Sequence, residues 1–246
     1  MPFFVDASGG ARFKGMMKMN EKVLIAGVPE EVENYVEALK NAGLQPVVSL
    51  QFPTKEGLTA EDFAGLLLPG GGDVDPSFFG QENCGSRTIE KELDIAQLNM
   101  TDLFVKAKKP ILGICKGCQV INIYFKGDII QDLENNVHHQ AYQGKAVKHK
   151  ATTLENNIFC ELFGKDEIVI NSSHHQAIDR LGKNLRACQY SDDHVIEAIQ
   201  HETLPVLGTQ WHPERMAYNK HIPGEADGTL IFEAYKKLIE SNLFNQ

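Results

Sequence analysis

Residues 109–124 read KPILGICKGCQVINIY, and the rest of the chain is organised around them. Ile111, Leu112 and Ile114 form a short apolar run bounded by Pro110 and by the pair Gly113 and Gly117, the pattern of a strand buried on both faces of a parallel sheet. After Cys115 the period changes: Val120, Ile121 and Tyr124 recur at helical spacing, so a helix is expected from near Gly117. The stretch therefore predicts strand, sharp turn and helix, with a thiol at the turn. Gly113-Ile114-Cys115-Lys116-Gly117 has the form of a G-x-S-x-G nucleophile elbow with sulfur in place of oxygen. A thiol there stands over a helix N-terminus, whose positive end favours the reactive thiolate.

Working outward, Val23–Ala26 reads as a first strand. Pro29 opens a helix whose apolar face is Val32, Tyr35, Val36 and Leu39, and Gly43 stops it. Val47–Leu50 is a second strand, and this βαβ opening implies a parallel sheet. Leu66–Leu68 is a third, followed by Gly70, Gly71 and Gly72 at its carboxyl end, where ligands bind in open α/β sheets. Three such glycines can turn N–H groups toward an anion; a plain tight loop is the competing reading. Asp73 and Asp75 lack the 12-residue calcium pattern. Phe78–Arg87, with Cys84, is a loop. A long helix follows from about Ile89, with Ile89, Leu93, Ala96, Met100 and Leu103/Phe104 as its buried stripe and Lys106, Lys108 and Lys109 near its negative end.

Beyond Asp128 the texture changes. Val147, Ile168–Ile170, Leu185–Cys188, Val195–Ile199 and Val206–Gln210 read as short strands with turn punctuation, a mixed or antiparallel portion added to the parallel core. A last helix spans about Leu230–Ser241. With no repeat or low-complexity linker, residues 21–246 form one domain, and residues 1–20 a flexible extension.

The 246 residues contain 42% hydrophobic residues, enough for a sizeable core. The 24 basic and 33 acidic side chains give a net charge of −9, with no basic run of the kind that binds nucleic acid. No apolar run reaches membrane-spanning length. Five cysteines do not make a disulfide framework, and a reducing cytoplasm is expected. A homodimer is allowed by these totals.

Cys115 needs a base, and residues 208–214, GTQWHPE, offer one. His212 and Glu214, two apart in a segment that Pro213 should keep extended, would lie on the same side, so that Glu214 holds one imidazole nitrogen while the other faces the thiol. A surface His–Glu pair is the alternative reading.

GICKGCQ, the earlier LLLPGGGDVDP, NSSHHQ at residues 171–176 and GTQWHPE together resemble the class I glutamine amidotransferase-like family. More narrowly they resemble its free-standing γ-glutamyl hydrolase branch (peptidase C26-like), which includes γ-glutamyl-γ-aminobutyrate hydrolase. The resemblance runs from about Val23 to the C-terminus. It implies a flavodoxin-like, mostly parallel α/β sheet with helices on both faces. It also implies Cys115 as nucleophile, His212 as base and Glu214 as its partner. Backbone N–H groups of Gly71 or Gly72 and of Lys116 become the oxyanion donors, and Gln119, His174 and Gln176 line a γ-glutamyl pocket. Lys116 stands where the branch often has Arg, and Arg87-Thr88 where Arg-Asp is usual. The implied activity is hydrolysis of small γ-glutamyl amides through a thioester, without a cofactor. A glutaminase module serving a synthetase partner is the alternative, and Cys115-Lys116-Gly117-Cys118 as a redox C-x-x-C the less favoured one. His138, His139, His174, His175 and Gln176 as a zinc cluster fit no familiar ligand spacing, so no metal is expected.

Overall fold

Strand β1 (Lys22–Ile25), helix α1 (Glu33–Asn41), β2 (Gln45–Val48) and β3 (Gly65–Leu68) open the fold. Helix α2 (Lys91–Lys106), β4 (Ile111–Ile114), α3 (Lys116–Tyr124) and β5 (Ile129–Ile130) follow. The later half is β6 (Val147–Thr153), α4 (Ile158–Phe163), β7 (Glu167–Ser172), β8 (Ala177–Ile178), β9 (Leu185–Ser191), β10 (Ile196–His201), β11 (Val206–Thr209) and α5 (Thr229–Phe244). This computed structural model describes residues 21–55, 57–134, 136–164 and 167–244. The expected extension at 1–20 lies outside the described residues.

One sheet runs β2-β1-β3-β4-β11-β10-β9-β6-β7, and β5 pairs with β8 separately. The pairs from β2 to β11 are parallel, and those from β11 to β7 antiparallel. The parallel core and the antiparallel addition are thus a single continuous sheet. Alternate strand residues face opposite sides, so β4 sends Leu112 and Ile114 to one layer and Ile111 to the other. Helices α1, α4 and α5 cover the first face, with Tyr35, Leu39, Phe159, Phe232 and Tyr235 in that layer. Helices α2 and α3 cover the second, with Met100, Phe104, Val120 and Ile121.

The central strand–turn–helix stands where it was expected, with α3 beginning at Lys116. Gly117 is needed there because a Cβ would lie 2.1 Å from the Leu68 carbonyl oxygen; α3 crosses β3 too closely for any side chain.

Four expectations are corrected. Helix α2 starts at Lys91, because Ile89 is held in a parallel bridge to Asp73. Its buried face also differs: Leu103 is exposed, while Asp94, Gln97 and Thr101 are buried. Those polar groups are there to be bonded: Gln97 donates to the Ala26 carbonyl at 3.0 Å, and Thr101 to the Gln97 carbonyl. Lys109 does not serve the end of α2; its buried ammonium donates to the carbonyls of Ala60, Glu61 and Phe63. Finally, Pro213–Arg215 is a 3-10 turn rather than an extended segment, proline being well suited to the first position of such a turn.

Candidate active site

Cys115 sits between β4 and α3 with φ 53° and ψ −110°, backbone that a residue with a Cβ adopts only when the surroundings enforce it. Three hydrogen bonds enforce it here. Its N–H donates to the Thr209 carbonyl at 2.7 Å, and its own carbonyl accepts from Cys118 and Gln119 in the first turn of α3. The turn lifts the thiol off the sheet, at the carboxyl end of β4, with 7% of the residue exposed.

His212 follows the parallel neighbour β11 and is brought beside Cys115: both approach Gly70, whose added Cβ would lie 3.3 Å from the imidazole and 3.4 Å from the Cys115 Cβ. Its Nδ1 is 2.8 Å from Glu214 Oε1, a contact made inside one 3-10 turn. Asn171 of β7 clamps the same residue from behind. Its Oδ1 accepts from the His212 N–H at 2.8 Å, and its Nδ2 donates to the His212 carbonyl at 2.9 Å. Burial works against protonating the imidazole, but the Glu214 carboxylate and the Cys115 sulfur outweigh it and lift His212 to about 9. At rest His212 is therefore biased toward the imidazolium. Above about pH 9 the proton leaves His212, so any step that needs the imidazolium as an acid should slow about tenfold per pH unit there. A kcat/KM profile from pH 6 to 11 measures this; a flat alkaline limb would contradict it.

Cys115 lies at the junction of two cavities. An inner one of about 70 Å³ is lined by Gly71, Gly72, Lys116, Gln119, Ser173, His174 and Gln176. An outer one of about 260 Å³ is lined by Asn34, Tyr35, His212, Glu214 and Arg215. Gly71, Cys115 and Ser173 border both. The triple glycine turns without positive φ at any of its positions. Glycine is required for room instead, since a Cβ on Gly72 would meet the Thr88 carbonyl oxygen at 2.2 Å. The Gly70 N–H is taken by the Tyr35 hydroxyl at 3.0 Å, while Gly71, Gly72 and the helix-opening Lys116 border the thiol's inner cavity.

The side chains of the pocket residues are more committed than their motif suggested. Gln119 Nε2 donates to the Gln176 carbonyl and to Gln210 Oε1. Gln176 Nε2 donates to Ser86 Oγ and the Gln131 carbonyl. His174 turns its Nδ1 to the Gln176 carbonyl and its Nε2 toward Glu197. Four contributors escaped the sequence reading: Tyr35, Asn171, Ser173 and Asp94. The last pairs at 2.7 Å with the buried Lys116 ammonium. Ser173 and Asn171 stood inside NSSHHQ, and that motif was their only signal. Asp73 and Asp75 are spent on His175 and on Ser77 and Lys91. Cys118 packs in the opposite sheet layer from Cys115, and burial pushes its thiol well up, so it is a poor resolving partner for a redox pair.

A cysteine on a strand-to-helix elbow of a mostly parallel α/β sheet, faced by a histidine–glutamate pair from the next parallel strand, defines the class I glutamine amidotransferase-like proteins. Within that class the chain belongs to the peptidase C26 family, whose profile matches residues 14–214. It is accordingly a hydrolase of C–N amide bonds. A Schizosaccharomyces pombe protein provisionally named a glutamine amidotransferase is 31% identical over 197 residues, 78% of this chain and 77% of its own. The γ-glutamyl-CDP-amidate hydrolase of Campylobacter jejuni is 29% identical over 150 residues, 61% of this chain and 62% of its own. A Thermotoga maritima glutamine amidotransferase structure shares the fold with a TM-score of 0.60 at 15% identity, covering 90% of this chain and 84% of that one. Among the described residues no helix is long and apolar enough to cross a membrane.

Proposed function

We propose that the chain hydrolyses the γ-glutamyl amide bond of small γ-glutamyl compounds, γ-glutamyl-GABA among them, through a γ-glutamyl thioester on Cys115. The placement of the thiol between two cavities, with His212 on the side of the outer one, carries this reading. The Cys115 thiolate adds to the γ-carbonyl, and the oxyanion is received by N–H groups of Gly71 or Gly72 and of Lys116; losing one such donor costs about 3 kcal/mol of barrier. His212 gives its proton to the departing amine, then takes one from the water that cleaves the thioester, releasing glutamate. Glu214 holds the imidazole in the working tautomer. No step calls on a cofactor.

The proton donor fixes which cavity takes which half. The amine must leave toward His212, so it occupies the outer cavity, and the glutamyl head takes the inner one with Gln119, Ser173 and the His174–Gln176 segment as its walls. The Campylobacter relative, named for a γ-glutamyl amidate, supports a γ-glutamyl head with a variable leaving group. Five free cysteines suit a reducing cytoplasm, where we place the chain.

Mass spectrometry of a panel (γ-glutamyl-GABA, γ-glutamyl polyamines, γ-glutamyl peptides, glutamine) should show free glutamate and amine, and acid-quenched enzyme should carry one γ-glutamyl group on Cys115. Product formation without that adduct on Cys115 would overturn the proposal. Turnover of glutamine only when a synthetase is added would point to an ammonia-delivering subunit instead. Asn34, exposed on α1 at the rim of the outer cavity, tests the division of the site. Asn34→Trp should raise KM for γ-glutamyl polyamines roughly tenfold, about 1.4 kcal/mol. It should leave glutamine, whose leaving group is ammonia, unchanged; equal losses on both would refute the division.

A further inference from the structure

Behind the active-site segment lies a cluster of which His174 alone borders the inner cavity. His149 of β6, Glu197 of β10, His139 and His174 converge side chain to side chain. His139 Nδ1 and His149 Nε2 are each 3.4 Å from Glu197 Oε1, and His174 Nε2 is 3.8 Å from it. Ligand atoms of His139, His149 and Glu197 all lie within 4.8 Å of one another. Glu197 is fully buried and the side chain of His149, the most open of the four, is 12% exposed. None of the three inward nitrogens and neither Glu197 oxygen makes a hydrogen bond. Five buried polar atoms in one place that meet only as ion-pair contacts, with no well-formed hydrogen bond, are far from ordinary.

The other nitrogen of each ring explains what the inward ones offer. His139 Nε2 is 3.0 Å from both Asp193 oxygens, His149 Nδ1 is 3.0 Å from the Lys150 carbonyl, and His174 Nδ1 is 2.9 Å from the Gln176 carbonyl. A carbonyl only accepts, so His149 and His174 donate with their outer nitrogens; the Asp193 carboxylate imposes the same on His139. In the neutral tautomers so fixed, three lone pairs and a carboxylate point at one another. A cation among them would satisfy that arrangement, and an outer nitrogen held by a carboxylate or backbone carbonyl is what metal-bound histidines show. The spacing agrees for His139, His149 and Glu197: bonds of about 2.0–2.1 Å to a tetrahedral metal place its ligands about 3.3–3.4 Å apart, and both imidazole nitrogens stand 3.4 Å from Glu197 Oε1, whereas His174 Nε2 is further out at 3.8 Å.

We propose that His139, His149 and Glu197 bind a divalent first-row transition metal, with Zn2+ the best match to two imidazoles and a carboxylate that leave a fourth tetrahedral position on the His174 side. The site is structural. The His139 carbonyl accepts from Ser172 Oγ and from the His174 N–H, so the metal would fasten the segment carrying Ser173 to the sheet edge beside Cys115. A surface cavity bordered by His138, His139, His149 and Asp193 gives the ion a way in. The expectation of no metal rested on spacing along the chain; the set takes one histidine from the pair His138/His139 and adds His149 and Glu197.

Elemental analysis of protein purified without chelator or affinity metal, with Zn2+ and Co2+ titrations of chelator-treated protein, tests this. One metal per chain is expected, with a tetrahedral Co2+ visible spectrum lacking thiolate charge transfer. Glu197→Gln and His149→Ala should lose the stoichiometric metal, Asp193→Asn should weaken it about 10- to 100-fold, and Cys115→Ser should retain it. Absence of metal together with no uptake of either ion by folded wild-type protein would overturn the proposal. So would a thiolate band in the Co2+ spectrum, or metal retained in both ligand variants. The wild-type titration and spectrum decide the matter even where a ligand variant fails to fold.

Discussion

Cys115→Ala is expected to lower γ-glutamyl amide turnover by roughly 10⁴- to 10⁶-fold, because among the described residues Cys115 is the one thiol lining the inner cavity and the residues of the proposed triad act as a unit. The fold should be unaffected. Alanine keeps the Cβ, so it inherits the φ 53° backbone without adding strain, and the bonds from the turn to Thr209, Cys118 and Gln119 are main-chain. Cys115→Gly separates the two roles of the position: it should be as inactive, yet more stable by about 1 kcal/mol, since glycine accepts positive φ without cost. Parallel measurements of amine release and denaturant unfolding check both. Substantial turnover in the alanine variant would remove the sulfur from the mechanism. A glycine variant less stable than alanine would show that the turn is not strained.

That turn was legible because its signals are local. The apolar run 111–114 and the change of period after Cys115 sit within a few residues of each other, and the structure differs from the expectation by one residue at the helix start. The His212–Glu214 contact was also foreseen, but for an incorrect local reason: Pro213 opens a 3-10 turn, which brings the carboxylate round as effectively as an extended strand would have. What stayed hidden needs the tertiary fold. Asn171 was visible within NSSHHQ, but its reciprocal bonds to the His212 backbone join β7 to the end of β11, four places away in the sheet order. The short helix α4 had both of its end signals, Asn157 accepting from the Cys160 N–H and Gly164 at φ 54°, yet six residues are too few for periodicity to register. The histidine cluster joins residues 139, 149, 174 and 197, a spread that no linear ligand pattern anticipates.

Lys116 was valued in the sequence for its backbone alone, and the second large effect concerns its side chain. The ammonium is 1% exposed and pairs at 2.7 Å with Asp94 of α2, which is fully buried and whose other oxygen accepts from the Asp75 N–H at 2.9 Å. Lys116→Met keeps most of the methylene stem and removes only the charge, leaving a carboxylate buried beside the thiol's helix. Breaking a buried pair in this way costs about 3–5 kcal/mol, roughly 6–20 °C in Tm for a chain of this size. Asp94→Leu combined with Lys116→Met should recover much of that loss, because the uncompensated charge is gone, though the Asp75 N–H loses its acceptor. Activity should not recover in step. The lysine stem packs 3.3 Å from where a Gly71 Cβ would stand, so the pair spaces the triple glycine against the start of α3, and in the proposed reaction donors from both must meet one oxyanion. The double variant is therefore expected to fold and to show a lower kcat with little change in KM. Full recovery of kcat would mean that the glycine loop holds its place without the ion pair, and a single variant as stable as wild type would mean that Asp94 is not left charged.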